Sequence, residues 1–147
     1  MSNWTHVAGV LRIDHIKWED DEPELNFDEI FGKECLYKSD NKVWKDAKVN
    51  PEKYLPMGSE GSLQKSIWIN PRKECVTRYT VSIFGDLRDH DSIDSIIDWF
   101  KNKCTLSYLI VRNACITVSN EYYGTKTVSF NPDNESFIES DIIKREH

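Results

Sequence analysis

No stretch of this 147-residue chain reaches the roughly 18 consecutive apolar residues that a membrane helix needs. The opening residues, Met1-Ser2-Asn3-Trp4-Thr5-His6, carry no basic region followed by an apolar one, so no signal peptide is expected. Basic residues are in deficit: 19 Lys and Arg stand against 25 Asp and Glu, for a net charge of -6. That disfavours a protein that grips phosphate backbones nonspecifically. The four cysteines, Cys35, Cys75, Cys104 and Cys115, form no C-x-x-C pair, and no histidine stands at zinc-finger spacing. A structural zinc site of the common types is therefore not expected. P-loop, dinucleotide and G-x-S-x-G signatures are all missing, as are repeats and low-complexity segments.

What remains suits a soluble globular chain. Apolar residues make up 39% and charged residues 30%, enough of each to close one core and solvate its surface. The expectation is a single domain over 1–147, in a reducing cytoplasm, with free thiols and no cofactor or metal. Cys104 and Cys115 read as small buried apolar residues.

Periodicity predicts the elements. Residues 5–16 alternate, with Val7, Gly9, Leu11 and Ile13 on one face, and read as a strand. An acidic run from Glu19 to Glu24 follows as a solvated turn. Asn26 can cap a short helix whose Phe27, Ile30 and Phe31 face the core and which Gly32 stops. Residues 39–61 read as a long loop, packed down by Val43, Trp44, Tyr54, Leu55 and Met57. Residues 63–70 and 76–84 alternate as two strands joined by the turn Pro71-Arg72-Lys73-Glu74, an antiparallel hairpin. After a polar loop at 85–91, Asp91 or Ser92 caps a helix with Ile93, Ile96, Ile97 and Phe100 at i, i+3, i+4, i+7. A strand-like run over 106–118 is interrupted by Arg112 and Asn113, where a bulge is expected. Glu121-Tyr122-Tyr123-Gly124 reads as a turn, 125–130 as a strand, and 131–147 as a charged tail. Phe137, Ile138, Ile142 and Ile143 give that tail a weak helical period.

The order β-α-β-β-α-β implies an α+β fold of ferredoxin-like, split βαβ type, with an extra C-terminal strand and tail. Both helices then cover one face of an antiparallel sheet. The other face is left open, with His6, Arg12, Asp14, Trp68, Asn70, Arg78, Thr80 and Phe84 as its candidate residues. A mixed α+β sheet with extra strands from the long loop is the rival.

Three clusters carry candidate chemistry. Gly58, Ser59, Gly61 and Ser62 lie in Leu55-Pro56-Met57-Gly58-Ser59-Glu60-Gly61-Ser62, where glycines expose backbone N–H groups able to cradle an anion; an ordinary turn explains the same string. Asp86, Arg88, Asp89 and His90 crowd between a strand and a helix, where they can meet a ligand or a metal, or simply cap the helix. Arg112 is suited to a bidentate grip on phosphate or carboxylate, or to a surface ion pair. Trp68 and Tyr122 are the candidate stacking platforms among the aromatics. With His6, His15, His90 and His147 the only histidines and no nucleophile–base pair in sight, the chain reads as a non-enzyme.

The strings Asn3-Trp4-Thr5-His6-Val7, Leu55 to Leu63, Ile83-Phe84-Gly85-Asp86-Leu87-Arg88 and Val111-Arg112-Asn113-Ala114-Cys115 together resemble a family of small bacteriophage-encoded proteins without assigned function. The resemblance implies a phage setting and assigns no site residue. Three expectations follow. The first is a ligand-binding anti-defence sponge, possible as a homo-oligomer, that holds a small anionic nucleotide-type signal. Its site would comprise Gly58, Ser59, Gly61, Ser62, Arg88, Arg112, Trp68 and Tyr122. The second is an acidic inhibitor of a host defence nuclease, as anti-CRISPR proteins are. The third is a phage structural or assembly component. Neither a membrane nor nucleic acid is an expected partner.

Overall fold

A computed structural model describes residues 2–19, 22–36, 41–72, 75–90 and 92–142. Expectations for Asp20, Asp21, Ser39, Asp40, Lys73, Glu74, Asp91, Ile143 and His147 fall outside those residues. The fold is mixed α+β and dominated by one antiparallel sheet of six strands. In chain order the elements are β1 (Trp4–Ile16), α1 (Phe27–Phe31), α2 (Asn41–Val49), β2 (Met57–Gly58), β3 (Gly61–Ser62), β4 (Gln64–Ile69), β5 (Val76–Arg88), α3 (Ile93–Cys104), β6 (Ile110–Asn120), β7 (Gly124–Asn131) and β8 (Ser136–Ile142). The large sheet runs β4-β5-β1-β6-β7-β8, and β2 and β3 form a separate small hairpin.

The alternation read in β1 holds. Val7, Leu11 and Ile13 are buried, and so are their β5 neighbours Tyr79, Val81, Ile83 and Leu87. From β6, β7 and the helices come Val111, Ala114, Ile116, Val118, Val128, Phe130, Ile30, Phe31, Ile96, Ile97 and Phe100. Helices α1 and α3 thus cover the same side of the sheet, and the Phe31 and Trp99 rings lie 6.4 Å apart. Asn26 caps α1 by accepting hydrogen bonds from the Asp28 and Glu29 amides, and Ser92 caps α3 by accepting one from the Ser95 amide.

Three expectations need correction. The described part of 39–61 is not one loop: 41–49 form α2, and Pro51–Lys53 add a turn of 3-10 helix. Val43, Trp44 and Ala47 supply the helical spacing, which intervening lysines disguise. They pack with Cys35, Tyr54 and Met57 into a small second core. Residues 85–91 are not all loop either, because β5 runs on to Arg88 and pairs with the start of β1. Leu87 is buried there while Asp86 faces out, a polar strand end rather than a turn. Finally, the described part of the tail carries a strand: β8 pairs along β7, with Phe137 against Phe130 at a ring distance of 5.2 Å.

Candidate ligand-binding face

The even-numbered residues of β1 point away from the helices. Directly paired residues in an antiparallel sheet share a face, so the register defines rows across it. One row runs Trp68, Thr80, Arg12, Asn113 over β4, β5, β1 and β6. Strands lie about 4.8 Å apart, so the Trp68 and Arg12 backbones are about 10 Å from one another. Trp68 is 55% exposed, and among the described residues the Arg12 side chain makes no ion pair.

The next row adds Asn70, Arg78 and Asp14. At its margin the bulge expected in β6 is present: Arg12 pairs with Asn113 and Ile13 with Val111, leaving Arg112 as the surplus residue. Both Arg112 and Asn113 are exposed. Arg112 Nε donates to Asp14 Oδ2 at 3.0 Å, while Asp14 Oδ1 is buried without a partner. Arg12, Arg78 and Arg112 thus occupy neighbouring positions of one face, with Asp14 held by Arg112, a locally basic patch on an acidic chain.

The eight expected site residues do not form one pocket. Gly58, Ser59, Gly61, Ser62 and Arg88 do come together, but as a structural seam. The Ser59 amide donates to the Arg88 carbonyl (2.8 Å) and the Ser62 amide to the Cys35 carbonyl (2.8 Å). A β-carbon on Gly58 would sit 2.5 Å from that Arg88 oxygen. Arg88 itself donates to Glu60 at 2.5 Å and lies 3.7 Å from Asp89. The Ser59 and Ser62 N–H groups of the expected anion cradle are thus used within the fold, and the guanidinium is met by two acids. Arg88 pairs with Trp4 and Arg112 borders Ile13. Nine residues of strand separate them, about 30 Å, which no small ligand spans. Tyr122 lies in the β6–β7 turn at the Arg88 end, whereas Trp68 and Arg112 lie at the other.

Asp86, Asp89 and His90 are likewise engaged. Asp86 meets His6 Nδ1 at 2.6 Å, Asp89 accepts from the Asn3 amide at 3.1 Å, and the His90 ring contacts the Met57 carbonyl and Ser95 Oγ at 2.9 and 3.0 Å. Among the described residues no group of three metal-binding side chains is gathered.

A cleft of about 840 Å³ opens on the helix side beside β4, lined by Leu25, Phe27, Ile67 and Ile69. Its polar end is a Lys17–Glu24 ion pair and a hydrogen bond from Tyr79 Oη to Glu24 at 2.6 Å. Hydrogen bonds from Lys17 and Tyr79 hold the Glu24 carboxyl below its usual 4.5. Burial, then the Glu24 carboxylate, push the Tyr79 phenol above its usual 10. Tyr79→Phe is expected to cost about 1 kcal/mol at neutral pH. Because Glu24 is lowered in the folded state, its contribution is full above pH 4.5 and is lost as pH falls through the folded value. Urea midpoints of wild type and variant should therefore converge in acid; an undiminished gap at low pH would assign the cost to packing.

Sequence reasoning placed Arg12 and Thr80 on the open face but did not single them out, and it read Asn113 only as a break. Their meeting depends on strand register, which local pattern does not encode. No family model matches the chain, and no curated protein or solved structure is found to be similar to it. Among the described residues no helix is long and apolar enough to cross a membrane.

Proposed function

We propose that this chain is a non-catalytic binding protein that takes an anionic ligand with a planar aromatic part, a nucleotide in chemical type, on its uncovered sheet face. The observation that carries the reading is the row Trp68, Thr80, Arg12, Asn113, with a guanidinium that no acid among the described residues pairs, about two strand spacings from an exposed indole. A base stacks on the Trp68 ring, a contact of about 1–3 kcal/mol. Arg12 takes the phosphate through its planar fork, and Arg78 and Arg112 raise the local potential. Thr80 and Asn113 supply hydrogen bonds between these ends. The row holds no nucleophile beside a base, so capture without turnover is the chemistry it favours. The resemblance to small phage proteins gives that capture its proposed setting: withdrawal of a signalling nucleotide from a host defence.

The finer architecture is part of the same proposal. We read β4-β5-β1-β6 as a ferredoxin-like, split βαβ core extended by the β7–β8 hairpin. In its support, these four strands are consecutive and antiparallel, and the two crossovers carry α1 and α3 into one core. The acidic-inhibitor reading has less behind it, because Glu24 of the acidic run is engaged by Lys17 and Tyr79.

Calorimetry against mononucleotides, cyclic nucleotides and ADP-ribose derivatives tests the proposal. At least one is expected to bind, and Arg12→Ala to weaken it about tenfold to a hundredfold, from about 1.5–3 kcal/mol for a charge-assisted contact. Arg88→Ala should leave affinity unchanged. Absence of heat across the panel, or sensitivity to Arg88 instead of Arg12, would remove the reading.

A further inference from the structure

Strand β4 is an edge of the sheet, and the run Ser66-Ile67-Trp68-Ile69-Asn70, from within it to just past its end, carries no charge. Trp68 is 55% exposed and Ile69 56%. Folded proteins ordinarily blunt such an edge with lysine, proline or a covering segment, because its unpaired backbone groups invite another strand. Among the described residues the blunting is confined to the two ends. At one end the Lys65 amide, which points away from β5, donates to Glu34 Oε1 at 2.9 Å. At the other stands Pro71, which has no N–H to offer.

The direction of the groups between them follows from alternation. The Asn70 amide donates to the Arg78 carbonyl at 2.9 Å, so even-numbered residues of this strand bond to β5. Lys65, Ile67 and Ile69 therefore turn their N–H and C=O groups outward. The open window is Ile67 and Ile69, and its centre is Trp68.

We propose that the occupant of this edge is the β4 strand of a second copy, related by a two-fold axis at Trp68. The window is self-complementary about that residue. Ile67 faces Ile69 of the second copy and Ile69 faces its Ile67, which gives two fully bonded pairs. Lys65 falls opposite Pro71 of the second copy, so the two blocked positions meet one another and no N–H group is stranded. An unrelated strand has no reason to match both blocks. The same register carries Arg72 of the second copy toward Glu34, a charge-complementary meeting at each end of the contact. The two Trp68 residues become a non-hydrogen-bonded pair, the closer kind, on the open face. Ile67 and Ile69 of both copies share the apolar clefts on the helix side. The result is a continuous sheet across two chains, in which the second copy supplies an indole wall to each Trp68. This association stands independently of whether the face binds a nucleotide.

Sedimentation of the full chain tests it. Wild type should sediment at twice 17.2 kDa, and Ile69→Lys as a folded monomer by circular dichroism. A wild-type monomer at high micromolar concentration, or an Ile69→Lys dimer as tight as wild type, overturns the proposal. Trp68→Cys in a Cys75→Ser background gives an independent answer, including the case in which Ile69→Lys fails to fold. A two-fold at residue 68 brings its β-carbons within disulfide reach, so mild oxidation should yield a covalent dimer; failure to cross-link overturns the axis.

Discussion

Gly32→Ala is expected to destabilise the protein by about 3 kcal/mol or more, although it adds a single methyl group. Gly32 ends α1 with φ at +104°, a region that costs a β-carbon-bearing residue about 1–3 kcal/mol by itself. The added carbon would stand 2.4 Å from the Tyr54 carbonyl carbon and 2.6 Å from the Leu55 nitrogen. Both are backbone atoms, held by the Lys33–Lys53 and Leu55–Lys33 hydrogen bonds at 2.9 and 3.0 Å, so neither can swing aside as a side chain would. Relief of the clash requires opening that bridge, at about 0.5–1.5 kcal/mol for each bond. Urea unfolding should show a lower midpoint at unchanged slope. A loss below about 1 kcal/mol would show that the 53–55 segment yields freely.

Phe100→Ala is expected to have a comparable effect, about 3–5 kcal/mol, by a different route. The Phe100 ring is fully buried on the sheet-facing side of α3, in the same core as Ile96, Ile97 and the inner residues of the central strands. Its removal leaves a cavity that the rigid sheet on one side and the helix backbone on the other cannot fill. Thermal and urea unfolding should agree on the loss. If instead the helix shifts inward to close the gap, the cost falls toward the low end, and a fluorescence change at Trp99 would report the shift.

The local pattern foretold those parts of the fold in which one residue set decides one element. The i, i+3, i+4, i+7 stripe of α3, the Asn26 cap and the alternation of β1 and β5 each appear as expected, because burial of one face dominates their energetics. Helix α2 was hidden because Lys42, Lys45 and Lys48 dilute its apolar stripe, which serves a minor core rather than the main one. β8 was hidden because an edge strand buries little; Phe137 is the residue that ties it to the core. The candidate site was half legible. Outward residues on β1 and β5 follow from alternation, but which of them stand side by side is set by register between segments far apart in sequence. The glycine-serine turn misled for a related reason: its close backbone approach serves the β5 chain end, and no sequence signal tells a chain neighbour from a ligand.

The surplus residue at Arg112 has one more effect. Beyond it the phase of β6 inverts, with Val111 on the helix side before it and Ala114, Ile116 and Val118 on that side after it. A regular strand cannot turn two adjacent side chains to water on the same surface, yet Arg112 and Asn113 both reach it. One spare residue thus lets both halves of β6 keep their apolar side chains on the helix side while a pair of polar ones stays on the opposite surface.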